Sequence, residues 1–271
     1  MPCLIRQAAL EVSDATNKAA VTFDFSNTVS IVTGSGGGIG QAYVEAIANA
    51  GGSVVVADID TARAEGVAEA IRSNGGDALA LSVDVASPES AAEMAAKTID
   101  HFGGIDYLVN NAAIFGGMKL DALLTVDWEY LERFLAVNTL GALNCTRAVY
   151  RSMRKRGGGA IVNQSSTAAY LYAGFYGLAK AGVNSLTQQL AHELGGQKIR
   201  VNAIAPGPID TEASRTVVPE EFMTPIINGL ALKRMGAPDD LVGLCLFLLS
   251  DQASWITGHV FNADGGQVFR A

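Results

Sequence analysis

The chain reads as a single α/β domain built on a doubly wound parallel sheet, and three observations predict it. Short β-branched runs alternate with longer Ala-rich segments from about residue 29 onward. The runs are apolar at almost every position instead of every second one, which marks strands covered on both faces by helical crossovers. No Pro-, Ser- or Gly-rich linker divides the 271 residues into halves, so one large domain is the better count.

The elements follow in order. Residues 1–27 carry scattered Ala and the acids Glu11 and Asp14 without an uninterrupted apolar run, and read as an N-terminal arm ahead of a domain over 28–271. Strands are predicted at Val29–Thr33, Ser53–Ala57, Ala78–Val83, Ile105–Val109, Ala160–Asn163, Ile199–Ile204 and His259–Asn262. Helices are predicted at Gln41–Ala50, Thr61–Ser73, Pro88–Phe102, Trp128–Tyr150 and Phe175–Leu194, from apolar faces at helical spacing. The nine-residue run Leu241–Leu249 is far short of the ~20 residues of a membrane span and reads as a buried helix.

Composition narrows the function classes. Hydrophobic residues make up 49% and charged residues 17%, which suits a packed core and argues against disorder. Lys and Arg number 19 against 27 Asp and Glu, a net charge of −8, so neither a nucleic acid nor a membrane partner is expected. Cys3, Cys145 and Cys245 lie far apart in odd number, which predicts no disulfide framework, no metal site and a cytoplasmic location. His101, His192 and His259 stand apart from one another and from any carboxylate cluster, and read as surface or interface residues.

Chemistry enters with TGSGGGIG at 33–40. It follows the first strand and opens a helix, where backbone N–H groups and the helix dipole favour a pyrophosphate. The spacing departs from GxGxxG, running Gly34-x3-Gly38-x-Gly40. The second strand is followed by Asp58, 18 residues beyond Gly40 and close to the ~20 expected of an acid that binds a ribose 2′-hydroxyl. A carboxylate there repels a 2′-phosphate, which favours NAD over NADP, and Arg63 is the nearest downstream cation. The competing reading makes Asp58 a helix N-cap before Thr61.

YGLAK places Tyr176 and Lys180 at i and i+4 on one helix face, ~6 Å apart along the axis, where they can share a ligand. A phenol with a reference pKa near ~10 is a poor base at neutral pH unless a cation stabilises its phenolate, and Lys180 is placed to be that cation.

From roughly residue 28 to its end the sequence resembles the short-chain dehydrogenase/reductase family. The motifs that carry the resemblance stand in the family's order: TGSGGGIG at 33–40, Asp58, Asp84 in SVDV, NNAA at 110–113, Asn138 in VNTLGA, the serine pair 165–166, YGLAK at 176–180 and APGPIDT at 205–211. The family implies a Rossmann-type domain with a seven-stranded parallel sheet, assembled as a homotetramer. It implies Tyr176 as general acid/base, Lys180 as the group that lowers its pKa and holds the nicotinamide ribose, Ser166 as hydrogen-bond partner of the reacting oxygen, and Asn138 as holder of a water connecting Lys180 to solvent.

NAD would lie along Gly34, Ser35, Gly38, Ile39 and Gly40, then Asp58 and Ile59, Asp84 and Val85, and Asn111, Ala112 and Ala113. At its nicotinamide end it would meet Tyr176, Lys180, Pro206, Gly207, Ile209 and Thr211. Two departures stand out: Ala113 replaces the family's usual Gly, and only 10 residues separate Ser166 from Tyr176, which leaves Ser165 in contention for the serine role. The short segment between them carries Tyr170, Tyr172 and Phe175, expected to border the substrate with Ile114 and Phe115. Residues 212–235 occupy the position of a substrate lid.

The implied activity is NAD(H)-dependent interconversion of a secondary alcohol and a ketone, the substrate a small apolar, cyclic or aryl molecule. The alternatives are an NADPH-dependent 3-oxoacyl-thioester reductase and, from another class, a nucleotide-binding scaffold without catalysis.

Overall fold

Each predicted β run forms a strand in the computed structural model, which describes residues 22–217 and 220–269, with only the backbone at 220–222. The strands are β1 Val29–Thr33, β2 Ser53–Asp58, β3 Ala78–Ser82, β4 Tyr107–Asn110, β5 Gly159–Gln164, β6 Ile199–Pro206 and β7 Val260–Ala263. All pair in parallel, in the order β3-β2-β1-β4-β5-β6-β7, giving a Rossmann-type sheet. Val32 of β1 pairs with Val56 of β2 on one side and Val109 of β4 on the other. The chain reverses its direction of winding there, and the crevice beyond the strands' carboxyl ends is where such sheets hold ligands.

The helices α1 Gly38–Asn49, α2 Thr61–Ser73, α3 Pro88–Phe102, α4 Trp128–Leu135, α5 Gly141–Lys155 and α6 Gly174–Gly195 link these strands, and α7 Glu212–Arg215, α8 Glu220–Gly229 and α9 Asp239–Leu249 lie between β6 and β7. Alternation along the strands feeds two cores. Val32, Val54, Val56 and Val162 pack with Tyr43, Val44 and Ile47 of α1, Val67 and Ile71 of α2 and Leu241 and Leu248 of α9. Ile31, Val55, Leu108 and Ile161 point the other way, onto Met94 of α3, Val149 and Met153 of α5 and Leu190 and Leu194 of α6. Leu241–Leu249 is therefore a core helix, as its apolar run requires.

Several boundaries differ from the sequence reading for local reasons. Strand β4 begins at Tyr107 because the Ile105 N–H donates to Ser152 Oγ at 3.1 Å and not to a ladder partner. The predicted helix Trp128–Tyr150 is interrupted by a π-helical turn over Ala136–Leu140 before α5 carries it on to Lys155. Helix α8, with Pro225 inside it, has no counterpart in the predicted elements. Of the expected arm, residues 1–21 lie outside the described residues. Phe25 does not hang free: it is 1% exposed, its N–H donates to the Ala50 carbonyl at 2.8 Å, and its ring meets that of Tyr107 edge-on at 5.5 Å.

Candidate active site

A cleft of about 840 Å³ opens along the carboxyl ends of the strands. Its first wall is the glycine loop. Gly34 has φ +64°, and a methyl group on it would lie 2.7 Å from Ala112 Cα, so the β1 and β4 loops meet only because no side chain intervenes. Asn111 fastens that junction, its Nδ2 donating to the carbonyls of Thr33 and Gly34 at 3.0 and 2.9 Å. Helix α1 starts with Gly37 at its N-cap and no side-chain cap, leaving its first-turn donors directed at the cleft without an internal acceptor. This uncapped, side-chain-free turn fits a pyrophosphate.

Asp58 ends β2 on the cleft wall, accepting from Gly36 N–H at 2.9 Å through Oδ2 and from Asp60 N–H at 3.0 Å through Oδ1. The N-cap of α2 is Asp60, whose carboxylate takes the Ala62 and Arg63 N–H groups at 3.1 Å. That assignment removes the capping explanation for Asp58.

Gly34, Gly38, Ile39, Asp58, Ile59, Asp84, Val85, Asn111, Ala112, Ala113, Pro206, Gly207, Ile209 and Thr211 all line this one cleft, together with Ser166, Tyr176 and Lys180. Ser35 and Gly40 do not. Ser35 is fully buried, its Oγ donating to the Val32 carbonyl at 2.7 Å and accepting from Ala57 N–H at 3.1 Å, so it braces β1 against β2. Gly40 lies beneath the loop, where a methyl group would be 2.3 Å from the Gly34 carbonyl oxygen.

Orientation distinguishes the two serines. Ser165 is buried and its Oγ donates to Asn184 Oδ1, which ties β5 to α6. Ser166 lines the cleft, accepts from Ala168 N–H at 3.1 Å and hydrogen-bonds the Tyr176 phenol. Lys180, 3% exposed, donates from Nζ to the Gln164 carbonyl at 2.8 Å and lies 5.8 Å from the centre of the Tyr176 ring.

Burial decides the electrostatics here. It pushes the Tyr176 phenol up to about 12, against the smaller downward pull of the Ser166 hydrogen bond, and brings the Lys180 ammonium down to about 8. The sequence reading expected Lys180, joined by the positive charge of an oxidised nicotinamide, to lower the phenol; burial among the chain's own groups acts in the opposite direction.

Asn138 sits behind the cleft in the π-helical turn, where its Nδ2 donates to the Phe134 carbonyl at 3.0 Å. It lines a cavity of about 10 Å³ shared with Lys180, Asn110 and Gln164. Asn138 Oδ1, Asn110 Oδ1 and Gln164 Nε2 are buried without hydrogen-bond partners among the described residues, and the space is of the order of one water, ~10–15 Å³.

Ile114, Phe115, Leu171, Tyr172, Met223, Ile226 and Met235 give the cleft an apolar wall, with the Phe115 ring 5.4 Å from that of Tyr176. Phe175 is not part of it. Its ring packs edge-on against Phe134 at 4.8 Å in a separate small core. Tyr170 also turns away, its hydroxyl accepting from Asn184 Nδ2 at 2.9 Å.

The family model described as enoyl-(acyl carrier protein) reductase matches residues 34–267. An uncharacterized oxidoreductase of Mycobacterium tuberculosis is 63% identical over 247 residues, covering 91% of this chain and 100% of the relative. The chain belongs to the short-chain dehydrogenase/reductase family. It is thus an oxidoreductase of a family that binds a nicotinamide cofactor. A 3-oxoacyl-[acyl-carrier-protein] reductase of Thermotoga maritima is 34% identical, covering 89% of this chain and 97% of that one. Among solved structures, a 7 alpha-hydroxysteroid dehydrogenase complexed with NADH and 7-oxo glycochenodeoxycholic acid superposes with a TM-score of 0.85 at 33% identity, covering 90% of this chain and 96% of that one.

Against that family background, some cleft residues escape a motif reading. Arg133 of α4 reaches Asp84 with both carboxylate oxygens at 3.1 and 3.2 Å, and Gln267 accepts from Thr167 Oγ1 at 2.7 Å. Glu212 and Arg63 meet across the cleft entrance at 2.8 Å. Arg133, Gln267 and Glu212 belong to no local motif, and only the fold brings them to the cleft.

Proposed function

We propose that this chain is an NAD(H)-dependent dehydrogenase that interconverts an apolar, cyclic or aryl secondary alcohol and its ketone. The observation that carries the reading is the convergence of Ser166, Tyr176 and Lys180 on a cleft that also holds an uncapped helix start and Asp58. The adenosine ribose would be held by Asp58, the pyrophosphate by the turn opening α1, and the nicotinamide half by Pro206, Gly207, Ile209 and Thr211. Bound there, the cofactor would supply the acceptor or donor of the hydride exchanged at the carbinol carbon.

The chain's own residues handle the proton. In oxidation Tyr176 takes it from the substrate hydroxyl, and in reduction it returns it to the carbonyl oxygen. Ser166 hydrogen-bonds the same oxygen, as donor or acceptor by rotation of its hydroxyl. Lys180, near pH 8 in its proton affinity, exchanges protons close to neutrality, and the polar cavity at Asn138 supports a water-mediated path behind it.

Asp58 supports NAD as the cofactor, as does the likeness to a hydroxysteroid dehydrogenase complexed with NADH. The apolar wall supports a ring-bearing substrate. Among the described residues no helix is long and apolar enough to cross a membrane. A cytoplasmic homotetramer is proposed with it, its contacts including Trp255, which is 98% exposed beside the edge strand β7.

The test is absorbance at about 340 nm with cyclic, aryl and acyl secondary alcohols and ketones, run in parallel with NAD and NADP forms. Turnover of an apolar alcohol with NAD supports the reading. Turnover restricted to acyl thioesters with NADPH replaces it with the 3-oxoacyl-thioester reductase, an activity the Thermotoga relative carries in its name. Binding of cofactor with no turnover across the panel leaves the scaffold reading.

A further inference from the structure

Arg63 is the cation nearest to the Asp58 carboxylate along α2, yet its charge is engaged elsewhere. Its Nη2 meets Glu212 Oε2 at 2.8 Å, and its Nε donates to the Gly36 carbonyl at 3.3 Å. The guanidinium lies against the glycine loop: a methyl on Gly37 would be 2.6 Å from Nη2, and one on Gly36 would be 2.9 Å from Arg63 Cβ and 3.0 Å from Asp58 Oδ2. Asp58, Arg63 and Glu212 therefore crowd one stretch of the cleft wall.

Glu212 lines the same cleft, though it is 149 residues along the chain from its partner. Its position is set by Thr211, which caps α7 through a reciprocal pair with Ser214 and whose Cγ2 stands 3.8 Å from where a methyl on Gly38 would be. The start of α7 is in this way set against the glycine loop, with the glutamate at the arginine.

We propose that Glu212 is a cofactor-selectivity residue: it occupies the Arg63 guanidinium that would otherwise be open to a ribose 2′-phosphate. Asp58 repels that phosphate directly, and Glu212 denies it the neighbouring cation. A planar guanidinium binds carboxylate and phosphate in the same way, so the two anions compete for one site. This inference rests on the reading of Asp58 as the ribose acid.

The pair is exposed, at 51% for the Arg63 side chain and 78% for that of Glu212, so breaking it has little effect on folding. Calorimetric titration of the full chain with NAD+ and with NADP+ then tests the proposal without depending on turnover. Glu212→Gln is expected to raise the ratio of NADP+ to NAD+ affinity by about tenfold, the scale of one charged hydrogen bond. The rise is expected to vanish in Arg63→Ala/Glu212→Gln and to shrink in about 0.5 M salt.

An unchanged ratio in Glu212→Gln overturns the proposal. So does a rise that survives the double substitution, since the gain would not then pass through Arg63. Asp58→Asn separates this from failure of the ribose reading. If that variant leaves the ratio untouched, the reading of Asp58 falls and takes the inference with it; if it relaxes the ratio while Glu212→Gln does not, only the inference falls.

Discussion

Replacing Lys180 by Met is expected to stabilise the protein at neutral pH while abolishing turnover. Lys180 is held at 3% exposure, and burial brings its ammonium from the ordinary 10.5 down to about 8. At about 1.4 kcal/mol per unit, that drop penalises the charged form by about 3 kcal/mol at pH 7. Against this stands the Nζ bond to the Gln164 carbonyl, whose loss removes about 1.5–3 kcal/mol. Met is close in volume and leaves no cavity. The net gain is about 1 kcal/mol, or about 2–4 °C in melting temperature.

The pH dependence is the sharper observable. Between pH 8 and 10.5 the unfolded chain still holds the Lys180 proton and the folded chain has released it, so wild-type stability rises with pH across that window. The variant has no such group. Urea unfolding of both proteins at about pH 7 and about pH 9.5 should show the wild type gaining about 2 kcal/mol on the variant. A stability difference that does not change between the two conditions refutes the reasoning, because it would mean that Lys180 carries no buried-charge penalty.

Three further outcomes are expected. With Tyr176 raised to about 12, the phenolate needed for oxidation is scarce at neutrality, so kcat/KM for the alcohol climbs with pH from 7 upward while ketone reduction stays flat; initial-rate profiles in both directions check it. Asp58→Asn lowers the preference for NAD over NADP by about tenfold or more, read from kcat/KM with each cofactor. Phe25→Ala, which empties a site 1% exposed, destabilises the fold by about 3–5 kcal/mol in denaturant titration.

Much of the fold was legible because apolar runs such as Ser53–Ala57 are short, β-branched and bounded by turns, which leaves few alternatives to a covered parallel strand. That the glycine loop, Asp58, Tyr176 and Lys180 share one cleft was legible for a related reason: they sit close in sequence or at the ends of consecutive strands. What escaped depends on three-dimensional context. Phe25 reads as part of an N-terminal arm until α1 and β4 fold beside it. Phe175 has the sequence position of a substrate contact, but the helix turns it toward Phe134. The choice between Ser165 and Ser166 rests on which hydroxyl faces Asn184 and which faces the cleft, and alternation along a strand end decides that only once the register is known. The upward displacement of Tyr176 could not be read at all from a Tyr-x3-Lys spacing, since desolvation is a property of the assembled cleft.

The central claim is that Tyr176 moves the proton while the rest of the cleft binds the cofactor. It is tested most directly by measuring turnover and NAD+ affinity together in Tyr176→Phe, with an alcohol that the wild type oxidises. The account predicts turnover reduced at least about a hundredfold, with NAD+ binding retained. Turnover equal to the wild type would contradict it.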